Sequence, residues 1–156
     1  QRVLLMGAGQ FETLEEFKDW WLRKRTLRVP LDCVHKYPGA TTVTLYRRGQ
    51  YQVQMVYFEP NLEVKEHSHP NIVSYEVGIL RVPKEEFGYA VIGDIEHTSP
   101  TKPLFIDRGV IHGGKSGALG SGFLSIQKWL NNVPPTCVGL DSADDTTADA
   151  WCIEGK

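Results

Sequence analysis

The stretch Pro60-Asn61-Leu62-Glu63-Val64-Lys65-Glu66-His67-Ser68-His69-Pro70 decides how this chain is read. It places two imidazoles two residues apart. In an extended strand, residues at i and i+2 point to one face. Both rings therefore converge on one point without a special loop. Neutral imidazole is the commonest protein ligand for transition metals, so that point suits a metal ion. Working outward, a third arm is His112, in Asp107-Arg108-Gly109-Val110-Ile111-His112. A fourth candidate is Glu76, on the extended run from Ile72 to Val82.

The residues around this stretch read as a container made of strands. Thr41 to Arg47 is rich in β-branched and aromatic residues, and Arg48-Gly49-Gln50 reads as a tight turn. Tyr51 to Phe58 alternates, with Gln52 and Gln54 on one face and Tyr51, Val53 and Met55 on the other. Further strands are expected at Val64 to His69, Ile72 to Val82, Tyr89 to Ile92, Leu104 to Ile106 and Phe123 to Trp129. Gly113-Gly114 reads as a turn after His112, since glycine tolerates positive φ. Many short strands separated by Gly and Pro indicate an all-β sandwich or barrel.

One helix precedes the strands. Thr13 and Glu16 form a capping box, and Leu14, Phe17 and Trp21 recur at helical spacing, with Trp20 widening the stripe. This is an amphipathic helix covering one side of a sheet. Gly7-Ala8-Gly9 lacks the third glycine of a dinucleotide fingerprint, because Glu12 stands there. Gly114-Lys115-Ser116 has no P-loop context either. After Asn131 the chain changes character. Pro134-Pro135 stops regular structure, Asp141 to Asp149 is acidic and small, and Trp151-Cys152-Ile153 reads as a hydrophobic latch. One domain is expected: an arm and helix over 1–40, a barrel over 41–130 and a C-terminal extension over 131–156.

Size and charge bound the function. The chain has 156 residues, enough for one domain with a buried core. A net charge of -2 gives no electrostatic footing for nucleic acid or an anionic membrane. No apolar run approaches a membrane span. The opening residues carry no secretory signal, and a leader removed before Gln1 is left open. Cys33, Cys137 and Cys152 are an odd, sparse set without Cys-x-x-Cys spacing. They fit a reducing, cytoplasmic setting better than a disulfide framework.

The two histidine segments together resemble the cupin family of small jelly-roll barrels. That family's first motif is His-x-His followed three or four residues later by a glutamate, and its second is Pro-x-Gly-x-x-His. His67 and His69 match the first; His112 matches the second, with Asp107 in place of proline. The resemblance covers roughly residues 41–130. It departs where the glutamate is expected, since Val73 and Ser74 stand there and Glu76 follows two residues later. On a regular strand Ser74 and Glu76 share a face. Glu76 then ligates from one rung further along, or it orients a histidine from behind. The site is either three histidines plus Glu76 or three histidines alone.

The resemblance implies a mononuclear metal enzyme acting on a small polar molecule. The missing in-register glutamate makes an Fe(II)/O2 dioxygenase the leading expectation, because some cupin dioxygenases hold iron with three histidines. Zn, Mn, Ni or Cu are the other metals the ligand set admits. Two alternatives stand beside it. One is a metal-dependent sugar or keto-acid isomerase or epimerase, with Glu76 moving protons. The other is a non-catalytic ligand-binding or structural module. Substrate contacts read from strand parity are Gln52, Gln54, Tyr57 and Gln127, with Ser125 sharing the face of Gln127. A homodimer is implied by the resemblance alone.

Overall fold

The computed structural model describes residues 11–23, 34–79, 86, 88–98, 102–132 and 138–139. The readings of Gly7-Ala8-Gly9, of the stop at Pro134-Pro135, of the acidic run, the latch and all three cysteines lie outside these residues. No helix among the described residues is long and apolar enough to cross a membrane.

Helix α1 spans Leu14–Leu22. The Thr13 hydroxyl accepts from the Glu16 N–H at 3.2 Å, and the Glu16 carboxylate accepts from the Glu12 N–H at 3.0 Å. The capping pair thus satisfies the Glu16 N–H, which the first turn leaves open, and the Glu12 N–H just before the cap.

Among the described residues eleven strands follow: β1 (Val34–Tyr37), β2 (Ala40–Arg48), β3 (Tyr51–Phe58), β4 (Glu63–Ser68), β5 (Ile72–Gly78), β6 (Tyr89–Ile92), β7 (Ile95–His97), β8 (Leu104–Ile106), β9 (His112–Lys115), β10 (Ser121–Trp129) and β11 (Val138–Gly139). They form two antiparallel sheets, one in the order β1-β2-β3-β10-β5-β8 and the other β11-β4-β9-β6-β7. β2 and β3 form a hairpin across Gly49-Gln50, with Arg48 opposite Tyr51 and Gly49 at φ +57°. β11 lies beyond residue 130 and pairs with β4 opposite His67 and Ser68.

The six-stranded sheet separates two environments. Its outer face carries Tyr51, Val53 and Ile126, which bury Leu14, Phe17 and Trp21 of α1. A bulge in β2 between Thr44 and Tyr46 brings the adjacent Leu45 and Tyr46 against the same cluster. Phe17 is fully buried, and burying such a side chain contributes roughly 2 kcal/mol. The inner face is different. Cross-strand register lines up Gln54, Ser125 and Glu76 in one row and Gln52, Gln127 and Ser74 in the next. The barrel interior is thus partly polar, while a compact aromatic core lies outside it under the helix.

The sequence reading of Gly113-Gly114 as a turn is corrected. Both lie within β9, which pairs with β4 on one side and β6 on the other. Their glycine character answers to crowding. A Cβ on Gly113 would stand 2.7 Å from the Val64 carbonyl oxygen. Gly114 has φ +150°, and a Cβ there would stand 2.1 Å from the Tyr89 carbonyl oxygen.

Candidate metal centre

β4 and β9 bring the first two histidines together directly. His67 pairs with His112 across the two strands. Just before His67, β4 carries one residue more than its partner between Val64 and His67, which is a bulge. The bulged backbone closes over Gly113, whose missing side chain leaves room for Glu66. His69 follows His67 at the end of the strand. The turn at Asp107–Val110 docks against it, with the Gly109 N–H donating to the His69 carbonyl at 2.8 Å. Gly109 has φ +72°, and the Asp107 carboxylate accepts from the Arg108 N–H at 2.8 Å. Asp107 thereby shapes the turn at the position where the resembled motif has proline.

The three rings pack around one point. Ring centroids are 4.3 Å apart for His67 and His112, and 5.0 Å for each pairing with His69. One ligand atom from each ring lies within 4.8 Å of the other two. Nδ1 of His67 lies 2.8 Å from the Lys65 carbonyl, and Nδ1 of His112 lies 3.0 Å from the Val110 carbonyl. A carbonyl only accepts, so each Nδ1 carries the proton and each Nε2 keeps its lone pair. Burial, followed by the neighbouring His67 and His69, holds the His112 imidazole well below its ordinary range, at about 3. A neutral imidazole is the ligating form. The three rings therefore fit a transition metal in their convergence, His67 and His112 also in their tautomer, and His112 also in its charge.

Glu76 lines the same cavity but stands outside the histidine cluster. Its Oε1 accepts from the hydroxyls of Ser74 at 3.0 Å and Ser125 at 3.1 Å. Its Oε2 is buried and has no hydrogen-bond partner among the described residues. Burial drives its pKa up from 4.5 to about 7, against the opposing effects of Ser74, Ser125 and His69. The cavity is about 210 Å³ and largely apolar, with Val56, Phe58, Leu104, Ile106 and Phe123 among its walls.

The residues expected to touch substrate fall elsewhere. Gln52, Gln54 and Gln127 do face inward, yet they are buried and do not line the cavity. Gln52 donates to Gln127 at 3.0 Å and Gln127 donates to Gln54 at 3.2 Å, so these amides bind one another behind the wall. Tyr57 has the opposite parity and is partly exposed, 38%. His35 and His97 lie in β1 and β7, outside the cluster. The residues that sequence reasoning underused are Ser74 and Ser125. The signal was present: Ser74 occupies the position where the resembled motif carries its glutamate, on the same strand face as Glu76.

No family model matches the chain, and no curated protein matches its sequence. Solved structures do match its fold. KdgF from a Halomonas species superposes with a TM-score of 0.53 at 10% identity, over 67% of this chain and 94% of that one. The Cnp3 cupin domain of Schizosaccharomyces pombe gives 0.52 at 9% identity, over 69% and 77%. A cupin-2 domain from Rhodospirillum rubrum gives 0.50 at 13% identity, over 68% and 76%. At these identities the likeness is one of fold, and that fold is the cupin jelly roll.

Proposed function

We propose that this chain of cupin fold is a mononuclear metalloenzyme that uses Fe(II) and O2 to oxidise a small molecule held beside His67, His69 and His112. The observation that carries the reading is the convergence of three imidazoles, each offering one ligand atom within 4.8 Å of the other two. The donor set, three imidazoles with no carboxylate in the cluster among the described residues, admits iron beside zinc, nickel and copper, and its resemblance to the three-histidine iron sites of some cupin dioxygenases favours iron and oxygen. Such a set leaves coordination positions for a substrate and O2. When bound, the metal supplies Lewis acidity and a path for electrons between those two partners.

The rest falls to the chain's own groups. The carbonyls of Lys65 and Val110 keep the imidazoles oriented and in one tautomer. The apolar walls exclude water and admit a small molecule. Glu76, with a pKa near 7, is suited to hold or release a proton at Oε2. That last observation also favours a second reading, a redox-neutral isomerisation or epimerisation in which Glu76 shuttles the proton.

Oxygen consumption separates the two. The protein, reconstituted anaerobically with Fe(II), is mixed with O2 and a panel of thiol, catechol and enol compounds. Uptake of O2 with at least one of them, reduced at least about 100-fold in His112→Ala, supports the oxygenase. A site that loads zinc, nickel or manganese and leaves O2 untouched transfers the case to the redox-neutral reading.

A further inference from the structure

A directed chain of polar side chains crosses the inner face of the six-stranded sheet and ends in the cavity. It begins at Trp129, whose indole N–H can only donate. That N–H meets Gln127 Oε1 at 3.2 Å, which turns the amide oxygen toward Trp129 and the amide nitrogen away from it. Gln52 donates to the same oxygen at 3.0 Å. The Gln127 nitrogen then donates to Gln54 Oε1 at 3.2 Å and to Ser125 Oγ at 3.0 Å. Ser125, having accepted there, has one hydroxyl proton to give, and Glu76 Oε1 lies 3.1 Å away. Ser74 donates to the same Oε1 at 3.0 Å.

The polarity of the bonds from Trp129 through Gln127 and Ser125 to Glu76 follows from the first. Glu76 Oε1 is occupied by two donors, so any proton the carboxyl carries sits on Oε2. That atom is buried and has no hydrogen-bond partner among the described residues. A buried polar atom without a partner is costly, and native interiors leave few of them. Glu76 lines the cavity, so an occupant of the cavity can supply the missing contact. A hydroxyl suits Oε2 in both charge states, since it donates to a carboxylate and accepts from a carboxylic acid.

We propose that Trp129, Gln127, Ser125 and Ser74 are a positioning array that pins Glu76 and reserves its Oε2 for the hydroxyl of a small, otherwise largely apolar ligand. The inference deepens the reading of this cavity as the ligand site and rests on it, but not on which metal the histidines hold.

The test compares phenol with toluene, which differ by a hydroxyl in place of a methyl. Binding of each is measured by titration calorimetry, with the protein as purified and again after chelation. The expected result is at least a tenfold preference for phenol in both states. Ser125→Ala and Gln127→Met are expected to cut the preference to threefold or less while toluene affinity stays within twofold, which shows the cavity intact. Ser125→Thr, which keeps the hydroxyl, is expected to retain the preference, and Glu76→Leu to abolish it. Equal affinity for the two probes in the unmodified protein overturns the inference, as does a preference that survives Glu76→Leu. A preference that vanishes on chelation also overturns it, because phenol then selects the metal. A preference that persists in a protein that never binds metal sustains the array and removes the metalloenzyme reading.

Discussion

At Glu76 burial outweighs two hydroxyl donors and lifts the carboxyl to about 7. The native state therefore binds a proton that the unfolded chain releases from 4.5 upward. Stability contributed by this group falls as pH rises from about 4.5 through 7, then levels off. The size is on the order of 3–4 kcal/mol. Chemical denaturation of metal-free protein across this range is expected to show that decline relative to Glu76→Gln, which lacks the titration. A difference that is flat with pH contradicts the assignment. Single residues were unevenly legible in the sequence. His67, His69 and His112 were readable because their spacing carries the geometry. Parity put Gln52 and Gln54 on one strand face, and that face is the inner one. Parity does not say whether an inward position lines open space or meets another amide. That is decided by the neighbouring strands, and here Gln127 lies between Gln52 and the row of Gln54 and Ser125.

At the scale of elements, the β4–β9 pair is what delivers the histidines. The bulge before His67 and Gly113 opposite it are one device: extra backbone on β4 needs bare backbone on β9. This was not legible from composition, since Gly-Gly after a histidine reads equally well as a turn. Nothing local announces a bulge whose partner is some 50 residues away. Gly114→Ala forces a side chain into φ +150° and against the Tyr89 carbonyl. The expected cost is at least ~1–3 kcal/mol in urea denaturation, with a matching loss of metal occupancy because His112 is displaced. A variant as stable as the parent and fully loaded contradicts this view of β9. The helix, by contrast, was legible down to its cap, because capping and apolar spacing are local signals. Phe17→Ala is expected to lower stability by roughly 3–5 kcal/mol, read as a shifted denaturation midpoint. Its metal content is expected to be unchanged under native conditions, since Phe17 packs on the far face of the sheet from the histidines.

For the molecule as a whole, the fold class was readable because short alternating strands and two motifs in order all pointed to one barrel. What was not readable was the division of labour between the two faces of the six-stranded sheet. The outer face, under α1, holds the aromatic core; the inner face holds the amide ladder and the cavity. Stability and chemistry are therefore largely separate. Chelation is expected to lower the melting temperature by the ligand-linkage amount yet leave a folded β-rich chain by circular dichroism. Collapse of the fold on chelation would instead mark the metal as structural. The most direct measurement is elemental mass spectrometry of the purified protein beside His67→Ala and His112→Ala. Near-stoichiometric iron is expected in the parent and its loss in both variants, with all three proteins folded. No bound metal in the parent, even after anaerobic reconstitution with Fe(II), would contradict the central claim and leave a binding module on a jelly-roll frame.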